Sequence, residues 1–451
     1  MRHLYPGDGK EAVAIALCGR HDGLDLHRLC VHEIVPIPYD ACRERTREHV
    51  TWPPALLTSI LEQRMTHNLG VVKCHSHPGG ISRFSDYDDK SDRDLYASIF
   101  GWFDDGLPHA SVIVLSDGTL VGRGILPDVA FAPLRRIAVA GEEIKIFDHD
   151  ASADRIKDFG ARVGQAFGHG TFSKLQRLSV AVIGCSGTGS LVVEQLVRTG
   201  VGRVVLIDPK RIREKNHNRI VNARQHHFSE QPFKVHLLED AINHMGLGTQ
   251  VEALPIDLFT PEAVRAIASC DVVFGCMDTA EGRHMLNRLA TFYVIPYFDV
   301  GVKLEADGWG SVSDVCGAVH SLQPGGSSLL SRGVFTLEDV RADALFRTDP
   351  ETYAEHRRDG YIRGVNVGKP AVMPVNMIFA GLAVTELLAR LHGFRFEEGS
   401  DYAVHGLSLN KGIYYHRDDG ARCELLAKHV GRGDVTPLLD LPLFSDNRGT
   451  E

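Results

Sequence analysis

LSVAVIGCSGTGS, residues 178–190, passes from an apolar run, Leu178 to Ile183, straight into a glycine-rich turn, Gly184-Cys185-Ser186-Gly187-Thr188-Gly189-Ser190. The run reads as a strand and Gly189 to Arg198 as the helix after it, with further strands at Arg203 to Ile207 and Asp271 to Cys276. Strands alternating with helices predict an α/β doubly wound, Rossmann-like parallel sheet. In that fold the turn's N–H groups and the helix N-terminus cradle phosphates, so Gly184, Gly187 and Gly189 are expected phosphate contacts. Asp208 ends the next strand, placed to accept hydrogen bonds from ribose hydroxyls. By themselves a glycine turn and an acid suit NAD, FAD or S-adenosylmethionine equally well.

The residues downstream narrow the choice. Asn216-His217-Asn218-Arg219, Lys234, and Cys276-Met277-Asp278-Thr279 resemble the adenylation domain of the E1-like family, from about Arg155 to Leu391. That family includes ThiF- and MoeB-type enzymes of the thiamine and molybdopterin pathways and ubiquitin-activating enzymes. The resemblance implies that Asn216, Arg219 and Lys234 grip the triphosphate of ATP and that Asp278 binds magnesium. It also implies that Arg155 reaches into the partner subunit's site of a homodimer. Thr279 stands where the family has Asn. Attack of a carboxylate on the α-phosphate gathers negative charge, which Arg219, Lys234 and Mg²⁺ would neutralise.

Two departures from relatives matter. Where relatives carry two C-x-x-C pairs for a structural zinc, this chain has Ser328-Leu329-Leu330-Ser331 and Cys423-Glu424-Leu425-Leu426, so no structural zinc is expected in this half. The crossover loop that holds the acceptor thiol of ubiquitin-type relatives, Phe335 to Lys369, contains no cysteine. Cys316 and Cys185 are the alternatives for a thioester, each also readable as a small buried residue. Otherwise the activated carboxylate passes to a thiol on another protein.

The other end of the chain carries separate chemistry. His75 and His77 stand at alternate positions of a strand-like run, so both imidazoles face one point, and Asp88 can close the set from the next helix. Three protein ligands leave a tetrahedral position for water, whose pKa zinc lowers to about 7. His75-Ser76-His77-Pro78, Ser85 and Asp88 resemble the JAMM (JAB, MPN+) metalloprotease motif. The resemblance implies zinc on His75, His77 and Asp88, Ser85 beside the oxyanion, an upstream Glu as general base, and a peptide or isopeptide bond after a ubiquitin-like C-terminal glycine as substrate. Glu11, opening the apolar run Ala12 to Cys18, is preferred as that base, with Glu33 as competitor. Ser85 before acidic residues is also an ordinary helix start.

The 451 residues, 43% apolar and 24% charged with net charge −9, allow several ordinary domains and carry no basic footprint for nucleic acid or an anionic membrane. No apolar run approaches about 20 residues and no leader is evident, so a cytoplasmic setting is expected. The nine cysteines include no C-x-x-C, and reduced, mostly buried thiols follow. Pairs such as His226-His227 read as surface or loop residues. The expected organisation is an α+β JAB/MPN domain, 1–147, followed by an α/β doubly wound E1 adenylation domain, 148–451. Both halves would act on a ubiquitin-like or sulfur-carrier protein ending in glycine, with an E2-like cysteine protein as a further partner. The expected function is a bifunctional isopeptidase and adenylating enzyme of a bacterial ubiquitin-like system. Sulfur-carrier activation and a non-catalytic binding scaffold are the alternatives.

Overall fold

The structure is a computed structural model that describes residues 1–23, 26–64, 69–103, 105–149, 158–306, 309, 311–358 and 371–445. Arg155 lies outside the described residues, as does the 359–369 part of the crossover loop. The chain divides into two compact units. The first is Met1–Val139 with Lys145–Ser152 and Val430–Val435, and the second is Ala140–Ile144 with Ala153–His429 and Thr436–Glu451.

The first unit begins with β1 (Val13–Asp22) and β2 (His27–Pro36), then the short strands β3 (Glu44–Arg45) and β4 (Val50–Thr51) and helix α1 (Pro54–Arg64). There follow β5 (Gly70–Ser76), α2 (Asp86–Trp102), β6 (His109–Val114), β7 (Leu120–Ile125) and β8 (Phe131–Pro133). These make a mixed sheet in the order β2-β1-β5-β6-β7-β8, in which only β5 and β6 run parallel among the pairs described. β9 (Arg136–Ala140) and β10 (Ile144–Asp148) pair beyond it.

Along β1, Val13, Ile15 and Leu17 face Leu57, Leu61, Tyr96 and Ile99 of the two helices, while Ala14, Ala16 and Cys18 meet Val72 and Val112 on the other face. The two-residue period of a strand thus sends large side chains to the helical layer and small ones to the opposite face. Because both faces are covered, the sequence reads as an unbroken apolar run rather than as alternation. Val430–Val435 completes this unit: the Gly19 N–H donates to Gly431 O at 2.9 Å, His32 Nδ1 to Val430 O at 2.6 Å and the Asp434 N–H to Arg20 O at 2.6 Å.

The second unit opens with α3 (Ala161–Phe167) and α4 (His169–Arg177), then β11 (Ser179–Ile183), α5 (Gly187–Thr199), β12 (Arg203–Ile207), α6 (Gln225–Glu230), α7 (Lys234–Met245) and β13 (Gln250–Leu254). It continues through α8 (Pro261–Ala268), β14 (Val272–Gly275), α9 (Ala280–Phe292), β15 (Tyr297–Ala306), β16 (Val312–Leu322), α10 (Leu337–Thr348) and α11 (Pro350–Arg358). The last elements are α12 (Met373–His392), β17 (Val404–Ser408), β18 (Ile413–Arg417) and α13 (Glu424–Ala427).

The sheet runs β13-β12-β11-β14-β15-β16-β17-β18. Its first five strands are parallel, as the alternation of strands and helices predicts, and its last three are antiparallel. β11, β12 and β14 are buried along nearly their whole length, the pattern of a parallel sheet covered on both faces.

Three local expectations change. The crossover segment after Phe335 holds two helices, α10 and α11, before the described chain breaks off at Arg358. His227 is buried rather than on the surface, because its Nδ1 accepts the Arg224 N–H at 3.1 Å at the start of α6. Helix α12 has the length and hydropathy of a membrane span, which no apolar run had suggested, and 67% of that window is buried inside the fold.

Candidate active sites

β5 delivers His75 near its end and His77 one residue past it, and α2 brings Asp88 to both. His75 Nε2 lies 3.1 Å from His77 Nε2 and 3.0 Å from Asp88 Oδ1, and His77 Nε2 lies 3.6 Å from Asp88 Oδ2. A tetrahedral zinc with bonds of about 2.0–2.1 Å has ligand–ligand edges of about 3.3–3.4 Å, close to the spacing of this donor set. All three residues are buried, and among the described residues they form the one group suited to a metal. His77 Nδ1 donates to Ile81 O at 2.7 Å, which leaves the Nε2 lone pair facing the cluster. Burial pulls the His75 imidazole down to about 4, so it is neutral and able to ligate at physiological pH. Burial would raise the Asp88 carboxyl, but hydrogen bonds from His75 and His77 outweigh it and hold it well below the usual carboxylate range.

The two candidate bases separate in space. Glu11 Oε1 is 3.9 Å from His77 Nε2, and burial pushes the Glu11 carboxyl up to about 7 against the opposing pull of His77. Its backbone is pinned on one side by donation from its N–H to Thr46 O at 2.7 Å and on the other through Ala12, whose N–H donates to Ser76 Oγ at 2.9 Å. Glu33 sits in β2, paired in register with Leu17. Ser85 is the N-cap of α2: its Oγ accepts the Asp88 N–H at 3.2 Å and donates to Asp88 Oδ2 at 2.7 Å. The cap and the metal-site reading therefore converge on one residue, since the hydroxyl that starts the helix also orients the ligand.

In the second unit Gly184 leaves β11 with φ of 91°, while Gly187 and Gly189 already lie in the first turn of α5, which starts two residues earlier than the sequence pattern suggested. A Cβ on Gly187 would stand 2.4 Å from Asn376 Nδ2 and 2.9 Å from Arg219 Cδ, so the arginine stem and the Asn376 amide lie over the turn. Arg219 Nη1 donates to Lys215 O at 2.8 Å and to Asn218 Oδ1 at 3.0 Å. Asn216 is buried and its Oδ1 accepts the Arg213 N–H at 3.0 Å, which closes the turn leading to that arginine. Asp208 Oδ2 accepts from the Cys185 N–H at 3.0 Å and from Lys234 Nζ at 3.2 Å, both side chains being buried. Here the acid expected at ribose and the ammonium expected at phosphate neutralise one another across the turn. Asp278 is exposed between β14 and α9, whose cap is Thr279, the residue that replaces the family's Asn.

Neither alternative thiol is activated. Burial raises Cys185, and burial together with the neighbouring Asp314 carboxylate raises Cys316, which donates to Asp314 Oδ2 at 3.4 Å. Beside residues 328–331 and 423–426, the Cys423 N–H donates to Gly326 O at 3.0 Å, and Arg332 Nη2 pairs with Asp419 Oδ1 at 2.9 Å.

The sequence reading missed Asn376, although a polar residue in the apolar helix α12 was its visible mark. It also missed Lys73, the one charge in the apolar run before His75, and its partner Asp92.

A family model described as prokaryotic homologs of the JAB domain matches residues 1–121, and one described as the ThiF family matches residues 161–416. Ubiquitin-like modifier-activating enzyme 5 of Culex quinquefasciatus is 25% identical over 167 residues, covering 34% of this chain and 39% of its own length. A sulfur carrier protein adenylyltransferase of Thermus thermophilus is 29% identical over 117 residues, covering 26% of this chain and 42% of its own. The chain thus spans less than half of these curated relatives. Among solved structures, E. coli MccB aligns with a TM-score of 0.48 at 14% identity over 62% of this chain and 77% of its own. With a glycine turn, a buried acid and a buried lysine in one doubly wound sheet, and a His-His-Asp cluster in a separate unit, the chain belongs to the ThiF family and carries a JAB-like domain ahead of its E1-like adenylation domain.

Proposed function

We propose that this chain is a bifunctional enzyme of a ubiquitin-like system, which cleaves after the C-terminal glycine of a small protein in its first unit and adenylates that glycine in its second. The observation that carries the reading is the donor set His75, His77 and Asp88 with Glu11 at 3.9 Å, a hydrolytic constellation joined to an adenylation fold by one chain. When bound, zinc would supply an acidic water and polarise the scissile carbonyl. Glu11, with its carboxyl near 7, takes a proton from the attacking water and returns it to the leaving amine as the C–N bond breaks. The exposed Ser85 hydroxyl, which donates to Asp88 Oδ2 at 2.7 Å, is the group we assign to the developing oxyanion. In the second unit Arg219 and Lys234 would take the phosphates of ATP, Lys234 in exchange for its pairing with Asp208, and Asp278 would hold the magnesium. A carboxylate oxygen attacks the α-phosphorus, and pyrophosphate leaves. A cytoplasmic setting and a homodimer, with Arg155 reaching across it, belong to the same proposal.

A sulfur-carrier protein is the second reading of the substrate. It is favoured by the Thermus thermophilus relative and by the absence of cysteine from the sequence between Phe335 and Lys369. The test is made on the full chain. Purified protein should hold zinc, release the tail from a glycine-ended ubiquitin-like fusion, and exchange pyrophosphate into ATP when that protein is present. A chain that binds the small protein yet shows neither hydrolysis nor exchange would be a scaffold, and the proposal would be abandoned.

A further inference from the structure

Helix α2 carries Asp88 to the two histidines, yet its first turns have no apolar anchor. Its buried residues are Asp88, Asp92, Tyr96 and Ile99, so the face against the sheet is polar where the metal site lies and apolar only further on. Residues four apart stack on one side of a helix, which puts Asp92 directly behind Asp88.

Asp92 is fully buried. One of its oxygens takes Lys73 Nζ at 2.5 Å, and the other takes Arg123 Nη2 at 2.7 Å and Nε at 3.2 Å. Lys73 is on β5, two residues before His75, and its own N–H donates to Tyr96 Oη at 2.9 Å. Arg123, on β7, has its guanidinium 3.9 Å over the Phe84 ring, and that ring lies 6.1 Å from the His75 ring. The three charged groups therefore touch the helix one turn behind one ligand, the strand beside another, and an aromatic ring packed on the same histidine.

A buried ion pair is weak evidence of stabilisation, because apolar groups of similar volume usually serve as well or better. What charges supply instead is direction, since a forked guanidinium and an ammonium accept a carboxylate in few orientations. They also offset the repulsion between Asp88 and Asp92, two carboxylates one turn apart.

We propose that Lys73, Asp92 and Arg123 are positioning residues of the metal site, holding α2 and β5 in the register that presents Asp88 and His75 to one ion. The proposal rests on the zinc reading of the first unit. None of the three residues belongs to the donor set, and they act through the ligands they orient.

The test uses the full chain and reads zinc affinity by chelator competition, not turnover. Replacing the pair by apolar groups, Lys73→Met with Asp92→Leu, removes one charge of each sign and leaves Arg123 its contact with Asp89. A variant with unchanged circular dichroism and melting should hold zinc about 10–100-fold more weakly, the range for partners that orient ligands. If the folded variant binds within about twofold of the unaltered chain, the positioning role is overturned while the zinc site stands. If the double variant does not fold, Arg123→Lys keeps the charge and loses the fork, and should still weaken binding by about tenfold, with equal affinity again counting against the proposal. An unaltered chain that takes up no zinc sinks the metal reading and this inference together.

Discussion

At the scale of single residues, surroundings set two of the ligands in the metal cluster apart from the base. His75 is buried enough to stay neutral, Asp88 is hydrogen-bonded enough to stay ionised, and Glu11 is buried with too little compensation to stay ionised below about 7. Ligands must be deprotonated to bind, whereas a base works best near the operating pH. Glu11→Gln should therefore keep wild-type zinc content and lower hydrolysis by a factor of about 10²–10⁴, the usual contribution of a positioned base. Glu33→Gln should keep both the zinc and the hydrolysis. Metal analysis paired with a cleavage assay decides, and loss of hydrolysis in Glu33→Gln alone would mean the base was chosen wrongly.

Secondary-structure elements are fixed here by backbone approaches that leave no room for a side chain. Gly431 has φ of 67°, and a Cβ there would stand 2.1 Å from Val31 O. Gly431→Ala should destabilise the first unit by at least about 1–2 kcal/mol from the left-handed backbone alone, with the close approach adding to it. Calorimetry of the full chain reads this as a lowered first-unit transition, and an unshifted thermogram would show that Val430–Val435 contributes little.

Helix α12 is held differently, through Glu386. That fully buried carboxylate pairs with Arg390 at 2.7 Å and His405 at 2.6 Å, and also with Arg395. Burial raises it, but His405 and the two arginines prevail and bring it from 4.5 to about 2. Because the folded value lies below the unfolded one, the contribution is present above about pH 4.5 and is lost as pH falls towards 2. Thermal melts of Glu386→Gln should be flatter than wild type across that window. They should also lie lower at neutral pH, by about 3 kcal/mol or more, because two arginines lose their counter-ion. Parallel curves would remove Glu386 from the acid response.

For the whole molecule the open question is assembly. By its resemblance to E1-like enzymes Arg155 is the residue expected to reach across a two-fold axis, and Asp278 is the expected magnesium ligand. If the second unit forms a homodimer, mixing Arg155→Ala with Asp278→Ala chains should restore partial pyrophosphate exchange, because one hybrid site regains both groups. A monomeric, fully active chain in light scattering excludes that arrangement.

Much of this protein can be read from short spacings. A strand, a glycine turn and a helix are local in sequence, so 178–190 announces its own geometry, and the two-residue period of β5 aims His75 and His77 together without help from the rest of the chain. The same local logic marks Ser85 as a helix start. What only the tertiary structure decided depends on approaches between distant segments. It brought Glu11, already preferred in the sequence, to 3.9 Å from His77 Nε2, a proximity that depends on how β1 pairs with β5, and a sequence scan holds no pairing register. It set Lys73 and Arg123 around Asp92, laid Asn376 and Arg219 over Gly187, and drew Val430–Val435 into the first unit. A periodic pattern records which face of an element is buried, but the partner it is buried against is chosen by the packing of the whole chain.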